Sequence, residues 1–185
     1  MNAGVVEGAD GGAPWPVEVT TGSPDETRAL AGALAALCRA GDVVLLVGDL
    51  GAGKTVFAQG FAGAFGVAGP VTSPTFALVR HYRCGPDAPV RTLIHADVYR
   101  TGSVAEVTDL ALAELVEEDA VALVEWGDMA APALGESALE VTLVAPDPVG
   151  SPEARIVAVV GRGRWSGRAG EVASVLEPVA GRRTS

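Results

Sequence analysis

Residues 48–55 read GDLGAGKT, a glycine-rich turn that runs into a lysine and a threonine. Lys54 is the chain's sole lysine; the other twelve of its 13 basic residues are arginines. The octapeptide satisfies G-x-x-x-x-G-K-[ST], the pattern of a phosphate-binding loop. Each residue type has a reason to be there. Gly51 and Gly53 let the backbone wrap tightly enough for successive N–H groups to face a β-phosphate. A helix starting at this point turns its positive end on the same anion. Lys54 brings a compact ammonium that can bridge β- and γ-phosphate oxygens, where the planar fork of an arginine is a poorer fit. Thr55 offers a hydroxyl to Mg²⁺. The segment Leu50, Gly51, Ala52, Gly53, Lys54 and Thr55 is thus the candidate phosphate cradle.

Phosphoryl chemistry on such a loop also needs carboxylates, and open α/β sheets gather ligands at the carboxyl ends of their strands. Two acids stand where strands should end: Glu125 closes the apolar run ALVE, and Asp97 sits in LIHADVYR. One of them can hold Mg²⁺ while the other orients the attacking water. His95, two residues before Asp97, reads as a packing or hydrogen-bonding histidine. ATP is the expected nucleotide by elimination. A guanine-reading Asn-Lys-x-Asp loop needs a second lysine, an LSGGQ signature is absent, and the chain is too short for a lidded AAA+ module.

These residues require particular elements around them. The run DVVLLV, 42–47, suits a strand covered on both faces, and the helix after the glycine loop buries Phe57, Phe61 and Ala64. Further strands are predicted at 16–20, 75–82, 91–99, 119–126, 138–146 and 154–161. A helix at the SPDE start takes Ser23 as N-cap, Pro24 at the first helical position and Glu26 closing a capping box. Another helix is predicted over 106–118. Helices alternate with strands early and strands follow strands late. That order predicts a three-layer α/β domain with a mostly parallel central sheet and antiparallel edge strands. Residues 1–14 read as a disordered tail and 15–161 as the nucleotide-binding domain. Residues 162–185 read as a C-terminal tail with five arginines and a short helix.

At 185 residues the chain suits one domain. Its net charge of −10 disfavours direct binding to a nucleic-acid backbone, which demands clustered Lys and Arg. No run approaches the ~20 apolar residues of a membrane span, and the N-terminus lacks a signal-peptide pattern. Cys38 and Cys84 have no metal-ligand spacing. A cytoplasmic protein with reduced cysteines is expected.

GDLGAGKT, SPTFALVRHY, HADVYR and LVEW together resemble, in order and spacing, the bacterial TsaE family, formerly YjeE. The resemblance covers roughly residues 17–160. It implies a Mg²⁺-dependent ATPase required for threonylcarbamoyladenosine beside the anticodon of certain tRNAs. The implied partners are TsaB and TsaD, with TsaD performing the transfer and the tRNA met only through those partners. On this resemblance Leu50 to Thr55 form the phosphate loop, Thr55 and Glu125 are the Mg²⁺ ligands, and Asp97 joins Lys54 as an essential active-site group. Ser73 and Thr75 belong to a switch-like loop, and Trp126 lies beside the nucleotide. Two positions depart from the family pattern: Thr101 stands where leucine is common, and Gly127 where proline is. The alternatives are a small-molecule kinase built on the same loop and a nucleotide-gated binding module with negligible turnover.

Overall fold

The computed structural model describes residues 15–74, 78–99, 116, 119–127 and 137–179. Seven strands form one sheet: β1 (Val17–Thr21), β2 (Val43–Val47), β3 (Val79–Arg83), β4 (Thr92–Asp97), β5 (Ala120–Glu125), β6 (Leu139–Val144) and β7 (Arg155–Gly161). Their spatial order is β1-β7-β6-β2-β5-β4-β3. The central four, β6, β2, β5 and β4, are parallel. β3 pairs antiparallel at one edge, and β7 and β1 continue antiparallel at the other. This is the expected architecture, a P-loop NTPase-like sheet.

The interior strands are apolar throughout because both of their faces are covered. Every residue of β5 is buried, as are the first four of β2. Alternation along β2 sends Val44 and Leu46 into one apolar cluster and Val43 and Leu45 into another. The first cluster is closed by α1 (Pro24–Ala35), α2 (Lys54–Ala64) and α3 (Ala169–Leu176). The second holds Ile94, Ala96, Ala122 and Val124 and includes Val116. The helix predicted over 106–118 otherwise lies outside the described residues, as do 1–14.

Local chemistry accounts for the helix ends, with adjustments. Ser23 Oγ accepts the Glu26 N–H at 3.2 Å, as an N-cap does. The Glu26 carboxylate reaches back to the N–H of Gly22 at 2.7 Å, one residue earlier than a capping box requires. In α2 the buried stripe is Phe57, Phe61 and then Phe65, which follows the helix, whereas Ala64 is exposed. Phe61 stacks on Phe57 with ring centroids 6.0 Å apart and meets Phe65 edge-on at 5.3 Å. α1 and α2 approach closely because Gly60 has no side chain: a Cβ there would overlap the Arg28 backbone.

The strand predicted over 75–82 begins only at Val79. Leu78 has φ +57°, a left-handed turn that an extended strand cannot contain, and residues 75–77 lie outside the described set. The segment after Gly161 packs onto the domain through Trp165, Val172 and Leu176, all fully buried. Arg168 covers the Trp165 ring at 4.0 Å and donates to the Leu37 carbonyl, joining this segment to the end of α1.

Candidate functional site

The phosphate-loop sequence connects β2 to α2, with Gly53 as the N-cap of α2 at φ +104° and Gly51 at φ +80°. Both values lie in the left-handed region that glycine enters without a Cβ penalty. Gly48, at φ +148°, starts the turn where a Cβ would stand 2.5 Å from the Leu143 carbonyl oxygen of β6. Leu50 projects at the loop tip, 93% exposed, while Ala52 is buried beneath it. Lys54 and Thr55 are the first two residues of α2, next to its unpaired N–H groups and positive end.

The Lys54 ammonium is turned onto its own loop. Nζ donates to the carbonyls of Gly48 at 2.6 Å and Asp49 at 2.9 Å, and stands 4.0 Å over the Trp126 ring. Lys54 is only 6% exposed, so carbonyl dipoles and the ring quadrupole replace water around the charge. Trp126 follows β5 with φ +62°, a sharp turn that brings its indole over the loop, and Tyr99 stacks on it at 4.5 Å. Gly127 is pressed against β2: a Cβ would overlap Leu45 Cβ and lie 2.9 Å from Leu45 Cα. The departure from proline therefore sits at a backbone-to-backbone contact.

Asp97 and Glu125 end adjacent parallel strands and stand directly opposite in register. Both are nearly buried, at 5% and 3% exposure. Ser73 Oγ donates to Asp97 Oδ2 at 2.9 Å, and the Tyr99 N–H to Oδ1 at 3.1 Å. The SPTF loop is thereby tied to the acid on β4, although Thr75 lies outside the described residues. His95 Nε2 and Glu125 Oε1 are 2.9 Å apart, and both side chains are buried. With Glu125 ionised, Nε2–H is the donor, and Nδ1 has no partner among the described residues. His95 thus positions the Glu125 carboxylate.

The sequence reading missed Arg155. This β7 residue lies a hundred positions beyond the loop, yet Nε donates to the Ala52 carbonyl at 2.7 Å and Nη2 to that of Gly51 at 3.2 Å. Nη1 donates to the carbonyls of Pro152 at 2.8 Å and Ala154 at 2.7 Å. The guanidinium pins the phosphate loop to the β6–β7 connection from its carbonyl side, leaving the N–H side free to face an anion. No local motif could reveal this, because the contact exists only once β7 has folded beside β6. Arg100, beside Asp97 in sequence, lies outside the described residues.

Known proteins are similar to this chain in sequence and in fold. A chain from Bacillus subtilis (strain 168) named tRNA threonylcarbamoyladenosine biosynthesis protein TsaE is 42% identical over 123 residues, covering 66% of this chain and 74% of that one. A protein of the same name from Streptomyces coelicolor is 41% identical over 141 residues, 75% of this chain and 93% of its relative. The crystal structure of Bacillus subtilis YdiB superposes with a TM-score of 0.67 at 31% identity, covering 88% of this chain and 95% of that one. Residues 21–150 match the family model described as threonylcarbamoyl adenosine biosynthesis protein TsaE, a span holding the phosphate loop, Asp97 and Glu125, and the chain belongs to that family.

Proposed function

We propose that this chain is a Mg²⁺-dependent ATPase that serves threonylcarbamoyladenosine formation on tRNA in the cytoplasm, acting on a TsaB–TsaD complex. The observation that carries this reading is the meeting of the Lys54 loop with Asp97 and Glu125 at the carboxyl ends of β2, β4 and β5. In this reading the loop N–H groups and the α2 N-terminus receive the β-phosphate. The Lys54 ammonium exchanges the Gly48 and Asp49 carbonyls for β- and γ-phosphate oxygens, a stronger partnership because both sides are charged.

The donor set suits Mg²⁺. Among the described residues no three His, Cys, Asp or Glu side chains form a metal cage. A P-loop Mg²⁺ does not need one, since it shares its coordination among a hydroxyl, few carboxylates, phosphate oxygens and water. Thr55 and Glu125 would hold it, and when bound it neutralises charge on the phosphate oxygens. His95 keeps the Glu125 carboxylate in place, and Asp97, held by Ser73 and the Tyr99 N–H, orients the attacking water.

The test is phosphate release from ATP by the full chain, alone and with TsaB and TsaD, beside a screen of small-molecule phosphoryl acceptors. Mg²⁺-dependent release that rises with the partners is expected. Transfer of the γ-phosphoryl group to a small acceptor would replace this reading with a kinase.

A further inference from the structure

Two buried polar atoms behind Glu125 lack what they need. Nδ1 of His95 and the hydroxyl of Tyr82 are both enclosed, and neither has a hydrogen-bond partner among the described residues. Buried polar groups are satisfied in the great majority of cases, so two orphans on neighbouring strands call for a common explanation. The strand register brings them together. Tyr82 stands opposite Leu93 and His95 opposite Leu123, so Tyr82, His95 and Glu125 project from one face of the sheet, on β3, β4 and β5. They form a diagonal row that steps from Leu93 to His95 and from Leu123 to Glu125, toward the carboxyl ends of the parallel strands. Diagonal neighbours of this kind lie within reach of aromatic side chains.

The Tyr82 and His95 rings are 6.4 Å apart between centroids and inclined at 34°. His95 is fully buried, with Nε2 2.9 Å from Glu125 Oε1. Once Nε2–H is given to the carboxylate, Nδ1 carries a lone pair and needs a donor, whereas the phenol is a donor in need of an acceptor. What each atom lacks, the other offers. Leu93 and Leu123, the cross-strand neighbours in the row, belong to the apolar cluster against which Tyr82 packs. The row is therefore set into a wall of low dielectric, where such bonds strengthen and where a missing one is costly.

We propose that Tyr82 is a positioning residue for the candidate Mg²⁺ ligand: its hydroxyl donates to His95 Nδ1, directly or through one bridging water, and holds the imidazole as the Nε2–H tautomer that grips Glu125 Oε1. The proposal rests on the reading of Glu125 as a Mg²⁺ ligand and extends it to a residue on the edge strand. The relay fixes one carboxylate oxygen, and the second is the one a cation would take. Hydrogen-bonded partners behind metal ligands act in this way, setting the orientation and basicity of the ligand. Tyr82 acts only through His95.

Two measurements on the full chain test the relay. The first is nitrogen NMR of the imidazoles at fixed neutral pH, without nucleotide. The chain has two histidines, His81 and His95, and a His81→Gln control assigns their signals. His95 should be the Nε2–H tautomer, and its Nδ1 signal should move downfield in Tyr82→Phe as the bond to it is lost. That variant keeps the ring that packs, so the fold tolerates it. An Nδ1–H tautomer, an imidazolium, or an Nδ1 signal unmoved by the substitution would overturn the bond. The second is the Mg²⁺ concentration that half-saturates ATP binding in wild type, Tyr82→Phe, His95→Gln and the double variant. Tyr82→Phe should raise it about ten-fold, the low end for a partner behind a metal ligand. Added to His95→Gln, it should raise it no further, because the path through Nδ1 is already gone. No rise in Tyr82→Phe, or effects that multiply in the double variant, would overturn the relay. ATP binding by wild type that is indifferent to Mg²⁺ would overturn the reading of Glu125 and the positioning role with it, while the NMR signal separately decides whether tyrosine and histidine are bonded.

Discussion

Asp97 and Glu125 face each other across the β4–β5 pair, each held by a different partner: a serine hydroxyl from the 70–74 loop on one, a buried histidine on the other. Two carboxylates so close can divide the work only if their surroundings differ. Asp97 is tied to a loop and to the backbone beside Tyr99, whereas Glu125 is fixed within the sheet. Asp97→Asn and Glu125→Gln should each keep the fold and impair ATP hydrolysis. Glu125→Gln should shift the Mg²⁺ dependence of nucleotide binding further, because an amide is a poorer ligand for a hard cation. A Mg²⁺ titration that moves only for Asp97→Asn would exchange the two roles.

Lys54 already makes two carbonyl bonds and a cation–π contact, so its loss removes more than a phosphate partner. Lys54→Ala should weaken ATP binding by about 1.5–3 kcal/mol, the range for a hydrogen bond to a charged group, or roughly ten- to hundred-fold. The same change frees Trp126 from the ammonium above its ring. Nucleotide addition should therefore alter the emission of the wild type, and both Lys54→Met and Trp126→Phe should abolish the change. Emission that responds identically in all three would show that Lys54 does not leave the ring.

Arg155 and Gly127 are structural supports that can be tested separately. Arg155→Gln unfastens the Gly51 and Ala52 carbonyls and should weaken ATP and tripolyphosphate alike, about ten-fold, because the loop's N–H groups lose their fixed aim. A loss confined to ATP would show that the arginine does not act through the loop's hold on phosphate. Gly127→Ala inserts a methyl group against the Leu45 backbone of β2 and should lower stability by about 1–3 kcal/mol, the usual cost of overpacking. Thermal unfolding reads this directly, and an unchanged midpoint would mean the turn after β5 shifts freely.

The legible parts of this molecule were those whose signal is local. The glycine spacing of the phosphate loop, the apolar runs of β2 and β5, and Ser23 ahead of Pro24 each depend on neighbours within a few positions. What escaped depended on the folded sheet. Arg155 reaches the loop only because β7 pairs with β6 and β6 with β2. The Lys54 contact with Trp126 requires β5 to lie beside β2 and the chain to turn sharply after it. Val79 as the true start of β3 reflects the left-handed Leu78, which nothing in TFALVRHY announces. Phe65 takes the place expected of Ala64 in the buried stripe because it continues the four-residue spacing of Phe57 and Phe61 and meets the Phe61 ring edge-on.

Hydrolysis by the isolated chain should be slow, and a partner complex should accelerate it. P-loop catalysis gains much from an arginine set against the transferring γ-phosphoryl group, supplied by the same chain or by a partner. Among the described residues Arg155 is the arginine that reaches the phosphate loop, and it reaches the carbonyl side. Its Nε, Nη1 and Nη2 are spent on four backbone carbonyls, so its charge stiffens the loop and does not meet the terminal phosphate. On the β5 side, among the described residues, the ammonium of Lys54 stands over Trp126, next to Glu125 in the chain, and Ser73 and Tyr99 give Asp97 only neutral donors. Two acids and one cation, the set that the described residues supply, can bind ATP well while stabilising the transition state poorly. Completion by a partner's cation would link turnover to assembly with TsaB and TsaD. Steady-state turnover at fixed Mg²⁺ and salt should rise at least ten-fold on adding saturating TsaB and TsaD, with little change in KM for ATP, since the added interaction belongs to the transition state. A fast lone enzyme indifferent to these proteins would mean that the chain completes its own site, and would move the assignment toward the kinase reading.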